Sequence, residues 1–179
     1  LNKLSNLNDL NCSNNLLTNL SIDNSPNLEY LDCNTNNLTS LDVSNSTIIY
    51  NLDARKNQFK SLDFNKLTEL YYLDITNNSQ LEALYIKNGQ DDNFYLIDDY
   101  YDDVEYYYNI LEGNDKLKYI CTDNDDAYSL ISLVDFLFDY YGEYYDIIIS
   151  TLCNSTSVGT TNYLMGKVKY DANSDGCNK

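Results

Sequence analysis

Histidine is absent from this 179-residue chain, and basic residues are few. The lack of histidine removes the commonest general base and the commonest zinc ligand, so a hydrolase triad or a zinc enzyme of the usual kind is nearly excluded. Acidic residues number 28 against 11 basic ones, which gives a formal net charge of −17. Because phosphate recognition needs a positive surface, this charge disfavours nucleic acid and anionic membranes as partners and favours cationic partners or metal ions.

Long apolar runs are missing too. No stretch approaches the ~18 residues that a membrane span requires, and we therefore expect no membrane insertion. The chain begins at Leu1, which lies 21 residues before Ile22 and so already falls inside the repeat described next. We expect it to be part of a longer chain.

Four consecutive stretches repeat one pattern of apolar residues and asparagine. The first consists of Leu7, Leu10, Cys12, Asn15, Leu17, Leu20 and Ile22. The same positions recur every 21 residues, in stretches that start at Leu28, Ile49 and Leu70. This is the signature L-x-x-L-x-[L/C]-x-x-N-x-L of leucine-rich repeats, at a period within their range.

The repeats predict a β-rich leucine-rich-repeat solenoid of the α/β horseshoe class. A coil of this length is too short to hold much helix after its two strand-like pieces, so we expect two rows of short parallel strands. Neighbouring coils must stack, since a single coil cannot bury its apolar face alone. The recurring asparagines, Asn15, Asn36, Asn57 and Asn78, are interpreted as structural, each capping the turn after a strand.

The chain divides into four predicted regions. Residues 1–87 hold the regular repeats, with a one-residue slip after Asn78. Residues 88–116 form an irregular or enlarged coil that is acidic and rich in tyrosine. Residues 117–153 hold a last, degenerate repeat strand and a C-terminal capping helix at 127–141, which would cover the open end of the solenoid. A further strand is predicted at Tyr145–Leu152. Residues 154–179 form a linker and the first hairpin of a following β-domain.

The tail contains a candidate calcium loop. Asp171, Asn173 and Asp175, followed by Gly176, match the opening half of D-x-N-x-D-G, in which alternate oxygen ligands surround the ion. The expected glutamate would fall beyond Lys179, and a plain acidic turn is the favoured alternative. We expect no other cofactor, and calcium here would be structural.

The five cysteines form two groups. Cys12 and Cys33 occupy one apolar slot of successive coils and are predicted to be reduced and buried. Of the three outer cysteines, we pair Cys153 with Cys177 as a hypothesis, because they could close a hairpin-like unit under oxidising conditions. A bond between Cys121 and Cys153 is the competing pairing.

Stacking aligns the outward residues of the first strands into columns, and we predict a ligand-binding face there. The candidate residues are Tyr30, Asp32, Asn51, Asp53, Arg55, Tyr72 and Asp74. Tyrosine offers a large contact area at little entropic cost, and Arg55 is the only arginine of the chain. The alternative is that the aspartates only keep the sheet soluble, and Asp42 and Asp63 form a similar column on the opposite side. An enzyme is not expected, since an open surface cannot desolvate a carboxylate.

The repeats, the cysteine slot, the strand Y-I-C-T-D and the tail G-K-V-K-Y-D-A-N-S-D-G-C together resemble secreted leucine-rich-repeat proteins of Bacteroidetes-type bacteria. The cysteine-ladder coils are also similar to those of a listerial internalin. The resemblance implies a secreted or cell-surface bacterial protein whose repeats serve adhesion or ligand capture, with further β-domains behind them. The leading function is therefore a non-catalytic binding or adhesion module that recognises a protein or glycan. A passive spacer or stalk in a large surface protein is the alternative.

Overall fold

The computed structural model describes residues 4–89, 108–123, 130, 147–151 and 153. Within these residues the regular structure consists almost entirely of short parallel strands. They are β1 (Asp9–Asn11), β2 (Tyr30–Asp32), β3 (Asn51–Asp53), β4 (Ser61–Asp63), β5 (Tyr72–Asp74), β6 (Ala83–Tyr85), β7 (Tyr108–Asn109), β8 (Tyr119–Cys121) and β9 (Ile148–Ser150).

The strands form two parallel sheets. The front sheet has the order β1-β2-β3-β5-β7, and the back sheet has the order β4-β6-β8-β9. Each coil that contributes to both sheets supplies one strand to the front and then one to the back. The predicted β-rich solenoid with two rows of strands is confirmed for the described residues.

The register follows the sequence repeat. In the front sheet Leu10 pairs with Leu31, Leu31 with Leu52, and Leu52 with Leu73, at the predicted spacing of 21 residues. In the back sheet Leu62 pairs with Leu84, one residue later than the period. This pairing confirms the one-residue slip after Asn78, because the extra residue must be accommodated before β6.

The core runs continuously between the two sheets. The central leucines of the front strands β2, β3 and β5 are fully buried, as are Phe59 and Phe64 from the other half of the third coil. At about 25 cal/mol for each Å² of apolar surface removed from water, each such side chain stabilises the stack by roughly 1.5–3 kcal/mol. Coil stacking is therefore what drives folding, as the apolar pattern predicts.

The asparagine ladder is structural. The Asn57 side-chain amide donates to the backbone carbonyls of Cys33, Ala54 and Arg55 at 3.0–3.2 Å, and its Oδ1 accepts the Leu38 N–H at 3.0 Å. Each donor thus bridges its own coil and the coil before it. Asn36 and Asn78 make corresponding bonds. The ladder satisfies backbone groups that stacking would otherwise leave buried without partners.

A fifth member of this ladder, Asn114, falls in the region predicted to be irregular. Its amide donates to the carbonyls of Ile75 and Ile110 at 3.0 and 2.6 Å, and its Oδ1 accepts the Asn78 N–H at 2.7 Å. Asn114 follows Asn78 by 36 residues, so a long insertion hides it from a search at the regular period. A coil therefore closes through β7 and Asn114 in spite of the insertion.

The residue before each ladder asparagine has a left-handed backbone. Asn14, Thr35, Lys56 and Asn77 have φ between 52° and 59°, and Gly113 has φ 68°. Gly113 is required there, because a Cβ atom would lie 2.6 Å from Asn77 Oδ1. Asparagine and glycine tolerate this conformation, whereas Thr35 and Lys56 adopt it at a cost because the turn geometry is imposed by stacking.

Cys12 and Cys33 are free thiols, as predicted. Cys33 is fully buried, whereas Cys12 is only partly buried in the first described coil. Burial raises the pKa of both thiols, with the nearby carboxylate of Asp32 adding to the effect. The neutral thiol is therefore the form that packs in the core.

The predicted disulfide between Cys153 and Cys177 is wrong. Cys153 is bonded to Cys121, with the two Cα atoms 5.4 Å apart. The reason is the pairing of β9 with β8, which places Ser150 opposite Cys121 and brings the chain after β9 back beside it. The competing pairing named from the sequence is therefore the one that forms.

The strand predicted at Tyr145–Leu152 is present as β9, over Ile148–Ser150. It extends the back sheet beyond β8, because its Ile149 pairs with Ile120. The predicted capping helix at 127–141 lies outside the described residues apart from Leu130, which is helical and fully buried. The linker, the β-domain hairpin and the calcium loop of residues 154–179 also lie outside them.

Candidate ligand-binding face

The front sheet brings the sequence-predicted site residues together. Tyr30 pairs with Asn51 and Asn51 with Tyr72, while Asp32, Asp53 and Asp74 form the adjacent column. Neighbouring strands lie about 4.8 Å apart, so these side chains and Arg55 make one continuous surface. We call this surface the strand face.

The aspartate column is engaged in turn formation. Asp32, Asp53 and Asp74 each accept a hydrogen bond from the backbone N–H two residues later, at 3.0–3.2 Å. Asn11 does the same in the first coil. This Asx turn holds the chain as it leaves each front strand. Asp42 and Asp63 form equivalent bonds on the opposite side. The alternative that these columns serve the scaffold is therefore well supported by their geometry.

Burial sets Asp53 and Asp74 apart from free surface carboxylates. They are 8% and 7% exposed, and the Arg55 guanidinium lies over both, 3.1 Å from Asp53 Oδ2 and 3.6 Å from Asp74 Oδ2. Asn34 also donates to Asp53 at 3.0 Å. A ligand approaching this part of the strand face meets Arg55 first, since its side chain is 43% exposed.

Desolvation raises the pKa of the Asp53 carboxyl above its ordinary value, opposed by the Arg55 backbone hydrogen bond and the Arg55 charge. Desolvation also raises the pKa of the Tyr72 hydroxyl, with a further contribution from the nearby Asp74 charge. The folded protein therefore binds a proton at Asp53 more readily than the unfolded chain does.

This difference predicts how stability depends on pH. Since the pKa of Asp53 is raised in the folded state, lowering the pH through that pKa stabilises the native protein relative to Asp53→Asn, which cannot titrate there. We expect the difference in free energy of unfolding, wild type minus variant, to increase as the pH is lowered from about 7 to about 4. Urea unfolding of both proteins across this range measures the gain. A constant difference, or a loss, would contradict the assignment.

Two tyrosines form a pair at the boundary between the strand face and the edge of the front sheet. Tyr30 and Tyr50 are 39% and 38% exposed, and their rings meet edge to face with centroids 5.2 Å apart. Asn51 donates a hydrogen bond to the Tyr30 hydroxyl at 2.8 Å. The pair is therefore held in place while presenting a large contact area.

Sequence reasoning missed Tyr50. It precedes β3, and its backbone accepts hydrogen bonds from the N–H groups of Tyr71 and Tyr72 in the next coil at 2.8 and 2.9 Å. Glu29, Tyr50 and Tyr71 share this position at the regular period and so form a column at the edge of the front sheet. The repeat could have revealed Tyr50, because its column lies one residue before the columns of the front strands.

The back sheet provides a comparison for this aromatic pair. Tyr85 and Tyr119, in β6 and β8, have ring centroids 5.6 Å apart, and both are only partly exposed. Aromatic pairing is thus not confined to the front sheet. What distinguishes Tyr30 and Tyr50 is their greater exposure.

Within the described ranges, no group of three or more Cys, Asp or Glu side chains is placed to hold a metal ion. The calcium loop predicted from Asp171, Asn173 and Asp175 falls outside those ranges and stays a prediction. In the same part of the chain, no helix is long and apolar enough to cross a membrane.

No family model matches the chain, and no curated protein matches it. Among solved structures, it is similar to the functional domain of InlJ from Listeria monocytogenes, which is described as including a cysteine ladder. The sequences are 26% identical, the match covers 73% of this chain and 29% of the other, and the TM-score is 0.40. At this TM-score the architecture rests on the repeats and strand pairing of the chain itself. The resemblance to Bacteroidetes-type proteins stays a prediction.

Proposed function

We propose that the chain is a non-catalytic binding module that captures a protein ligand through its strand face. The observation that carries this proposal is the exposed, edge-to-face pair of Tyr30 and Tyr50, fixed by Asn51. Anchors of this kind lose little side-chain freedom on binding, so more of their contact energy contributes to affinity. A scaffold that only holds coils apart has no need to expose two tyrosines side by side.

Arg55 supplies the second supporting feature. Its guanidinium is oriented by Asp53 and Asp74 yet remains partly exposed. Tyrosine and arginine are the residue types enriched at the centres of interfaces, where a few contacts dominate the affinity. The buried aspartates then act through Arg55 instead of contacting the ligand themselves, which refines the role predicted for them.

We further propose that the module belongs to a secreted or cell-surface protein. The Cys121–Cys153 disulfide supports this location, because such bonds persist in oxidising compartments. Adhesion is then a natural use of the strand face. The alternative, a passive spacer, predicts that the face binds nothing.

Peptide selection tests the proposal and requires no identified ligand. A phage-displayed random peptide library is panned against the protein, and the affinities of selected peptides are measured for wild type, Tyr30→Ser and Tyr72→Ser. An exposed aromatic anchor contributes about 2 kcal/mol or more, so Tyr30→Ser should lose roughly 30-fold in affinity. Tyr72 is half-buried on the same face, and Tyr72→Ser should also lose affinity. Tyr85→Ser on the back sheet is the matched control and should bind as the wild type does.

Three results would contradict the proposal. The first is that no peptides are selected, which favours the spacer. In the second, Tyr85→Ser loses as much affinity as the front-sheet variants. In the third, binding depends only on the tyrosines between Tyr95 and Tyr108, and the insertion is then the recognition element. A glycan array carried out with the same variants shows whether a sugar uses the same face. Circular dichroism of each variant verifies that the fold is retained.

A further inference from the structure

An open groove of about 450 Å³ lies at the edge of the front sheet, beside the strand face. It is lined by Glu29, Ile48, Tyr50, Glu69 and Tyr71. These residues come from three successive coils, linked by backbone hydrogen bonds from Tyr50 N–H to the Glu29 carbonyl and from Tyr71 N–H to the Tyr50 carbonyl, at 3.0 and 2.8 Å. We call this feature the edge groove.

Two carboxylates and an apolar floor give the edge groove a definite chemical preference. Glu29 and Glu69 are exposed, and Ile48 and Tyr50 lie between them along the chain. Among the described residues, neither carboxylate forms an ion pair with a lysine or arginine. The groove therefore offers negative charge on both sides of an aliphatic and aromatic surface.

We infer that the edge groove receives an arginine or lysine side chain from a basic segment of the protein ligand. A cation over a tyrosine face within about 6 Å is attracted by the ring, and its aliphatic stem packs on apolar surface. Ile48 and Tyr50 are 37% and 38% exposed and provide both contacts. The net charge of −17 adds long-range attraction for a basic segment. This inference rests on the proposed function, because Tyr50 belongs to both the groove and the exposed pair.

The test uses a fluorescein-labelled hexa-arginine peptide as the probe, with hexa-glutamate as the negative probe, at about 50 mM salt. Glu29→Gln combined with Glu69→Gln removes the groove charges while keeping the side-chain size. Affinity for hexa-arginine should fall about fivefold or more, because both charges face the bound cation. Tyr50→Leu, which keeps apolar area but loses the ring, should also weaken binding.

The matched control removes the same charge elsewhere. Glu82→Gln combined with Glu112→Gln changes two exposed glutamates outside the edge groove and leaves the same net charge as the groove variant. Its affinity for hexa-arginine should stay within about twofold of the wild type. Equal weakening by both double variants would show attraction to the whole acidic surface and overturn the inference, and so would an unchanged affinity in the groove variant.

One further variant separates this inference from the proposed function. Tyr72 lies on the strand face outside the edge groove. Tyr72→Ser should therefore lower the affinity for the selected peptides but leave the affinity for hexa-arginine unchanged. If it does so while Glu29→Gln with Glu69→Gln has no effect on hexa-arginine, the groove inference fails and the binding module stands. If instead the groove variant weakens hexa-arginine and the strand-face variants bind selected peptides normally, the proposed function fails.

Discussion

Replacing Asn57 by alanine should lower the free energy of unfolding by about 3–5 kcal/mol, since the side chain satisfies several buried backbone groups at once. Its amide and carbonyl serve Cys33, Ala54, Arg55 and Leu38, and the residue is only 6% exposed. Alanine leaves these groups without partners in a place that water does not reach easily. Urea unfolding followed by circular dichroism measures the loss.

Asn15→Ala is the matched control for this prediction. Asn15 is the same ladder position in the first described coil, but it is exposed and donates only to the carbonyls of Cys12 and Ser13. Water can replace these bonds, so we expect a loss of about 1 kcal/mol or less. Equal losses for the two variants would mean that the ladder does not depend on buried backbone groups.

Replacing Cys33 by aspartate should be at least as damaging, at about 4 kcal/mol or more, because it places an unpaired charge in an apolar slot. Cys33 is fully buried, and this burial raises the pKa of its thiol, with smaller contributions from charges that include the carboxylates of Asp53 and Asp32. A new carboxylate there gains no cation and adds repulsion. The variant should unfold at markedly lower urea concentration than the wild type.

Cys33→Ala separates the effect of charge from that of lost volume. Ala54 occupies the corresponding slot of the next coil and is fully buried, so alanine fits this position and should cost only about 1–2 kcal/mol. If the aspartate variant is as stable as the alanine variant, the slot is open to water and the assigned register is wrong.

Much of the fold could be predicted because the repeat fixes which residues face the core in each coil. The positions of Leu31, Leu52 and Leu73 recur at one interval, and in a stack of coils equal intervals mean paired strands. The same logic located the slip before β6, where one extra residue shifts the apolar positions without destroying them. Local pattern and stacking agree in these coils, so nothing in the three-dimensional structure overrides the sequence.

The contacts that were missed or wrongly paired depend on insertions in the chain. Asn114 and β7 join the stack after a long insertion, and no period leads from Asn78 to them. The Cys121–Cys153 bond depends on β9 lying beside β8; the sequence predicted a strand there but not its partner in the sheet. Loop closure costs little more free energy as a loop lengthens, so a solenoid can accept such insertions and still continue.

The alignment of the candidate residues was predicted from the sequence, but their burial and hydrogen bonding were not. Stacking placed Tyr30, Arg55 and Tyr72 on one face as expected, yet Asp53 and Asp74 are buried beneath Arg55 and hold turns. A carboxylate that accepts a local backbone N–H cannot be told from a free one by its position in a repeat. The column that contains Tyr50 could have been found from the repeat, whereas its ring pair with Tyr30 and the edge groove became visible only once neighbouring coils were in contact.

The central claim is that ligands bind the front of the solenoid, and backbone amide NMR tests it most directly. The isotope-labelled protein is titrated with a peptide selected by panning, and the perturbed amides are mapped onto the two sheets. The account predicts that perturbations concentrate at β2, β3 and β5 and around Tyr50 and Arg55. Perturbations concentrated on β4, β6 and β8 of the back sheet, with the front strands unchanged, would contradict it.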